Sequence, residues 1–517
     1  MAQNNVRAKK SIKNAVVSTT YFLISLFLGF FSRKLFFDYL GSEVLGLGTT
    51  AKDLIAFLQI SELGIATAIS FLLYKPLHED DHEKIKEIVT VQGWLYQRIG
   101  VFIIAAACVL MCFFPSIFAK SNVPLGYTYI VFLAYLIGTL FSYFFNFRLI
   151  VLSAHQKQYK VVRVFQSTEI VKILLQIVAV STLKNPFYWW IGLELVARIA
   201  STILNDILIR KEYPWLKLEM RNGKEYLARN KEIIKKTKQV FVHRIAGTAL
   251  RNSSSPILYA FTSLTTVAFY GNYQIILSKI TRLIGNLFSS TAAGVGDLVA
   301  EGNKRGIMRV FWELFDSRLL VAGIILIASY QLTDPFISAW LSPEYVLGKK
   351  FLFIYLIMQG ILMTRETVDS FINAHGIFQD IWSPIAEAII NIGLSILFGY
   401  LWGLEGIILG VTISLVLLVE IWKPIFLFKV GFKESVLPYF TKLAGRLALI
   451  AAAAILVTKV SPLLPMASEA SGSFLKWTVY AIEVTALTSV LLIPSFLAFS
   501  EGMRGFVRRM KNILLDR

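Results

Sequence analysis

LFLGFFSRKLFFDYLGSEVLGLGTTAKDLIAFLQISELGIATA, residues Leu26 to Ala68, decides the fold class. It sets Arg33, Lys34, Lys52, Asp53 and Glu62 inside apolar sequence long enough to cross a bilayer twice. A charge at the middle of an inserted helix costs roughly 2.5 to 3.5 kcal/mol even on the lenient insertion scale, so such residues face a bundle interior or a wet cavity. This helix pair is therefore expected to line one half of a cavity.

The rest of the chain has the same character. It is 56% hydrophobic and 16% charged, with a mean hydropathy of +0.62, which places it among polytopic membrane proteins. A helical span needs about 20 apolar residues. By that measure fourteen spans are expected: 15–37, 44–74, 91–118, 126–152, 161–183, 187–209, 239–262, 267–299, 310–340, 351–374, 381–401, 405–428, 438–459 and 475–499. They lack the alternation of transmembrane strands, which argues against an outer-membrane barrel. Met1 to Asn14 is polar and basic, with no small-residue cleavage pattern behind it, so the first span is expected to be mature structure. Cys108 and Cys112 lie four residues apart in the third span and give no disulfide framework.

The net charge of +19 is a topology signal rather than a nucleic-acid one. With a cytoplasmic amino terminus, inner segments hold 30 of the Lys and Arg residues, and outer loops hold only Lys120, Lys184, Lys349, Lys350 and Lys459. The positive-inside rule then places both termini in the cytoplasm. Seventeen cations remain within the spans. Arg148, Lys423, Lys442 and Lys476 lie close enough to span ends to snorkel.

The first six spans form an N-lobe over 1–209, followed by a basic linker at 210–238, a C-lobe of six spans at 239–430, two further spans at 431–500 and a basic tail at 501–517. The linker reads first as a solvated connector and second as a contact for anionic headgroups. The tail reads as an amphipathic inner-face helix. The lobes resemble each other. EVLGLGTT (Glu43 to Thr50) matches TVAFYGNY (Thr266 to Tyr273) at an offset of 223, and SAHQKQY (Ser153 to Tyr159) matches NAHGIFQ (Asn373 to Gln379) at 220. KPLHEDDHEKIKEI, from Lys75, falls opposite LVAEGNKRGIMRVF, from Leu298. Parallel six-helix halves imply substrate bound between them and alternating access. The expected fold is thus all-α, with two pseudo-symmetric lobes plus two C-terminal helices.

Depth singles out Arg251 in span seven, ahead of NSSSP (Asn252 to Pro256), where Pro256 removes a backbone donor and the serines can satisfy freed carbonyls. Lys279 and Arg282, three apart in span eight, share a helix face. Glu169 with Lys172, and Glu194 with Arg198, are spaced to neutralise each other. Arg365, Glu366 and Asp369 in span ten allow either reading. The excess of deep cations favours an anionic passenger, phosphate first. Asp53, Glu62, Glu387 and Glu420 are candidates for Na+ or H+ coupling. His155 and His375 read as surface turn residues. No phosphate-binding loop or clustered metal ligands occur in the sequence, so ATP hydrolysis and a metal centre are not expected, nor any cofactor.

LGFFSRKLFFDYLGSEVLGLGTT (Leu28 to Thr50), LQISELGIATAISFLLYKPLHEDDHEKI (Leu58 to Ile85) and the repeated Ala-His turns together resemble the polysaccharide transporters of the multidrug/oligosaccharidyl-lipid/polysaccharide exporter superfamily. The resemblance covers about residues 10–430. It implies a flippase, not an enzyme, moving undecaprenyl-pyrophosphate-linked O-antigen or capsule units from inner to outer leaflet, with lipids and polysaccharide polymerase machinery as partners. The chain also resembles lipid II flippases, in which a first-helix charged pair and arginines of helices two and eight contact pyrophosphate. By position these correspond to Arg33 and Lys34 and to Lys279 or Arg282. Lys34 stands where those flippases carry an aspartate, and Lys52 is the nearest cation to their second-helix arginine. Their last two helices cradle the lipid tail. The expected phosphate-binding set is Arg33, Lys34, Lys52, Arg251, Lys279, Arg282 and Arg365. Two rivals are a cation-coupled multidrug exporter, for which the cavity should be acidic, and a membrane glycan polymerase or ligase, for which an outer domain is needed.

Overall fold

The computed structural model describes the backbone of residues 2–62, 64–289, 291–377 and 379–515. Side chains are described there except at 2–16, 18, 19, 22, 61, 239, 240, 242–246, 249–251, 286, 287, 289, 291–294 and 513–515. Among the described residues every regular element is a helix. The chain divides into two compact units, Met1–Ala268 and Phe269–Arg517.

Unit 1 holds α1 (Ala2–Leu58), α2 (Ile65–His78), α3 (His82–Cys112), α4 (Leu125–Phe145), α5 (Gln158–Thr182), α6 (Pro186–Glu212), α7 (Glu232–Asn252) and α8 (Ser254–Phe261). From α9 (Leu264–Ser289) the chain passes into unit 2, with α10 (Thr291–Glu301), α11 (Lys304–Trp340), α12 (Lys349–Thr364), α13 (Glu366–Ala374), α14 (Trp382–Leu415), α15 (Leu437–Val460), α16 (Phe474–Phe499) and α17 (Glu501–Leu515). By length and composition, seven helical stretches among the described residues can cross a membrane: His82–Cys112, Leu125–Ala154, Gln158–Thr182, Lys349–Ala374, Trp382–Phe432, Leu437–Leu463 and Phe474–Phe499. The expected count of fourteen rests on the sequence.

The second span is interrupted within the opening stretch. After Leu58 the chain tightens into a 3-10 turn at Gln59–Glu62, and Gly64 turns left-handed at φ 97° before α2 begins. An L side chain resists that backbone region, which explains glycine there. Earlier, Gly41 (φ 79°, ψ 165°) breaks α1 between spans one and two. Gly403 (φ 61°, ψ −132°) breaks α14 in the same way, and its two arms fold against each other. A Cβ on Gly410 would lie 2.5 Å from the backbone nitrogen of Ser395, and Gly406 abuts the carbonyl of Phe398. Asn391 Nδ2 donates to Ser414 Oγ at 3.4 Å. Small residues four apart let two helices touch at backbone distance inside a membrane.

The paired turns are built alike. In one, Gln156 N–H bonds Ser153 O at 3.1 Å and Lys157 N–H bonds Leu152 O at 2.8 Å; in the other, Gly376 N–H bonds Asn373 O at 3.1 Å and Ile377 N–H bonds Ile372 O at 3.3 Å. Both are Schellman caps, with Gln156 (φ 59°) and Gly376 (φ 65°) in the left-handed position. Asp80 (φ 51°) and Gly302 (φ 73°) likewise precede the helix caps Asp81 and Asn303. Asp81 accepts from Lys84 N–H at 2.9 Å and Asn303 from Gly306 N–H at 3.1 Å.

The basic segment at 210–238 is ordered against unit 1. Trp215 stacks on His82 with ring centroids 3.8 Å apart, Gly223 packs on Trp94 with no room for a Cβ, and Arg229 pairs with Glu225 at 2.5 Å and Glu87 at 3.6 Å. In unit 2 the last helices share the core of α11. Arg446 Nε donates to Asp316 at 3.0 Å, Trp477 Nε1 to the Leu332 carbonyl at 3.0 Å, and Arg509 pairs with Glu313 at 2.7 Å. Ser500 also donates to Asp316. Around Phe311 the rings of Phe315, Phe371, Phe428, Phe432 and Tyr439 pack together at one end of the core.

Candidate functional site

Within unit 1 the sequence-predicted cations occupy two places. Arg33 is half-buried, donates to the Ala268 carbonyl at 3.0 Å and lies 5.2 Å from the centre of the Phe37 ring. Its neighbour Lys34 is exposed. Lys52, also exposed, holds its ammonium 4.7 Å from the centre of the Tyr135 ring, on which Arg198 also bears at 5.4 Å. Among the described residues the buried Tyr135 hydroxyl has no hydrogen-bond partner.

Behind Tyr135 lies an ion chain. Lys172, 8% exposed, donates to Glu169 at 2.5 Å and to Glu194 at 2.7 Å, and Glu194, 5% exposed, also receives Arg198 at 2.8 Å. Both spacing-predicted pairs form; the bond joining them crosses from α5 to α6. Asp53 lies beside Ser255. Glu62, at the break in the second span, accepts from Tyr96 at 2.6 Å and from Tyr143. The helix break expected near Pro256 falls at Ser253, between α7 and α8. The Arg251 side chain lies outside the described residues.

In unit 2, Lys279 is half-buried and Arg282 exposed. Arg365 is not a free cation, because it pairs with Asp369 at 3.1 Å, and Lys423 reaches the same carboxylate at 2.6 Å. Lys423 and Arg148, which pairs with Asp206, are thus each held by a carboxylate. Arg318 of α11, a cation that the sequence reading passed over, is 3% exposed and pairs with Glu366 at 3.0 Å.

Beside this network runs an apolar groove of about 850 Å³, walled by α11, α12, the wound stretch Val416–Trp422 and α15. One face of α15 lines it from Tyr439 through Leu443, Leu447, Ile450 and Ala454 to Lys459. At 1.5 Å per residue that face is about 30 Å long, the thickness of the hydrocarbon core.

No protein-family model matches this chain, and no curated protein matches it. Among solved structures, the lipid II flippase MurJ in an inward closed conformation is similar over 93% of this chain and 100% of its own, with a TM-score of 0.63 at 16% identity. A MATE-family multidrug resistance transporter of the MOP superfamily, inward-facing, is similar over 79% of this chain and 96% of its own, with a TM-score of 0.55 at 12% identity. This chain has their fold. Both relatives are transporters rather than enzymes, and with its apolar helices this chain is a multi-pass membrane protein.

The sequence located the charges and the partners within one helix, and missed the partners on other helices. The groove was not anticipated from the sequence, since most of α15 is apolar and its facing helices are distant in the chain. Among the described residues no group of His, Cys, Asp and Glu is arranged to hold a metal ion.

Proposed function

We propose that this protein is a flippase for oligosaccharides carried on undecaprenyl pyrophosphate, of the O-antigen or capsule kind. The observation that carries the reading is the groove. A cleft of this volume and of full hydrocarbon length suits one long apolar chain better than a compact drug. It keeps a polyprenyl tail in an apolar setting while the polar head crosses. The head is assigned to the span cations of each unit: Arg33, Lys34 and Lys52 in unit 1, Lys279 and Arg282 in unit 2, with Arg251 added from the sequence. Arg365 takes part indirectly, since Asp369 already holds its guanidinium. Guanidinium groups meet phosphate bidentately and ammonium groups meet it as point charges. MurJ, which shares the fold, is a lipid II flippase.

No bond is made or broken in this reading; the cargo is moved by alternating access. The test is a vesicle assay with purified protein and a fluorescent polyprenyl-pyrophosphate-linked sugar whose outer-leaflet fraction is read by a membrane-impermeant quencher. Wild-type protein should equilibrate the leaflets. Leu443→Trp, which fills the groove, and Arg282→Ala should each slow equilibration at least about tenfold, a loss of about 1.4 kcal/mol. Equal rates in protein-free vesicles and wild type would reject the reading.

A further inference from the structure

One carboxyl on the groove wall is bonded only to hydroxyls. Glu420 sits in Val416–Trp422, where the helix is wound with the wider i→i+5 turn, a form found mostly at functional sites. Its Oε1 is 3.2 Å from Thr364 Oγ1 and its Oε2 is 3.5 Å from the Tyr439 hydroxyl. A threonine hydroxyl has a single proton to give. Thr364 has a closer acceptor in the Gly360 carbonyl at 2.9 Å, the usual back-bond of a helical threonine. The Thr364 hydroxyl can donate to Glu420 when the carboxyl is ionised and, with its own proton turned to the Gly360 carbonyl, accept from it when the carboxyl is protonated.

The surrounding charges favour the protonated form. Arg365, at the end of α12, and Lys423, after the wound stretch, are both committed to Asp369 of α13, and Arg318 of α11 is committed to Glu366. Glu387 of α14, 4% exposed, lies in the field of Arg365 and Lys423. Tyr439 is the titratable group that α15 presents to Glu420. Glu366 is half-exposed and held by Arg318, so two cations, Arg365 and Lys423, face three buried or half-buried carboxyls: Asp369, Glu387 and Glu420. Buried charge without a counter-charge is costly, and a proton on one of the three relieves the excess. Glu420 is bonded to no cation among the described residues and faces the apolar groove.

We propose that Glu420 is a proton-binding site on the groove wall, holding its proton while an apolar chain fills the groove and releasing it when water does. The second half rests on the groove being the tail path. Chain and proton then favour each other's binding by the same factor, as linkage requires. As pH rises, the carboxylate draws water into the groove and the chain is expelled.

Two measurements on the full-length protein in lipid nanodiscs test this. Infrared spectra at pH 7 should show the carbonyl stretch of a protonated carboxyl that shifts in heavy water. It should disappear in Glu420→Gln, persist in Glu387→Gln and shift in Thr364→Val, which loses the hydroxyl acceptor. Absence of the band, or its survival in Glu420→Gln, overturns the proton site. Undecaprenol, a neutral chain, should bind the wild type more weakly as pH rises, by up to about tenfold per unit, and bind Glu420→Gln equally at every pH. Equal slopes in both proteins overturn the linkage. If undecaprenol binds at no pH, the tail path and the linkage built on it are both rejected, while the infrared band still decides the proton site.

Discussion

Ser42 Oγ and Thr265 Oγ1 lie 3.3 Å apart, and the two residues are separated by 223 positions, the offset that aligns Val44 with Val267 and Gly48 with Gly271. The two residues of this contact are thus counterparts in the sequence repeat. Both sit just past a turn, Ser42 after Gly41 and Thr265 at the start of α9. The contact therefore gives the sequence repeat a physical meaning within unit 1.

Cysteines at these positions should join. In a background with Cys108→Ala and Cys112→Ala, Ser42→Cys with Thr265→Cys should form an intramolecular disulfide under mild oxidant, since the two oxygens already lie within range of a small adjustment to disulfide geometry. Protease cleavage between the positions, followed by gel mobility with and without reductant, reads the outcome. Free thiols under oxidant would show that the turns are apart in the membrane.

The repeated Ala-His caps differ at the left-handed position, and that difference has a sign. Gln156 holds the left-handed position that Gly376 fills in the other copy. A side chain there costs roughly 1 to 2 kcal/mol, so Gln156→Gly should raise the melting temperature of the detergent-solubilised protein. Gly376→Gln should lower it. The same direction for both would mean that the side chains, not the backbone, set the turns.

How much of this was legible beforehand depends on sequence distance. Pairs within one helix, Glu169 with Lys172 and Glu194 with Arg198, follow from spacing. Bonds between helices do not, because their partners are 22 residues apart for Lys172 and Glu194, 54 for Lys423 and Asp369 and 130 for Arg446 and Asp316. Glycine breaks were legible as composition, but their hairpin geometry at Gly41 and Gly403 depends on positive φ, which one letter does not state. The split of the ion-bearing helices into units was hidden for the same reason: apolar runs reveal that they cross, not which neighbours they choose.

Acid should loosen the ion cluster that ties α5 to α6. Hydrogen bonding from Lys160, helped by Lys157 at 3.2 Å, holds the Glu212 carboxyl below its ordinary value. A depressed folded value means that the stabilisation is complete above the unfolded value, about 4.3, and is lost as pH falls through the folded one. Lys160 should therefore react slowly with an amine-directed label at pH 6 and gain relative accessibility below pH 4, judged against Lys120 as an internal reference. Glu212→Gln should remove that dependence while leaving the tyrosine-lined turn at Tyr213 in place.

Arg446 and Asp316 provide the sharpest test of how the last two helices are attached. Asp316 is 1% exposed, takes Arg446 at 3.0 Å and also accepts from Ser500. Removing one partner strands a buried charge, at a cost of about 3 to 5 kcal/mol, while replacing both with well-packed apolar residues can be neutral. Arg446→Met alone should therefore destabilise the protein strongly in thermal melts, and Arg446→Met with Asp316→Leu should recover most of the loss. The groove lies along α15, so the single variant should also lose undecaprenol binding at the temperature where the wild type retains it, and the double variant should regain it. Recovery of stability without binding would show that the ion pair sets the angle of α15 as well as its attachment.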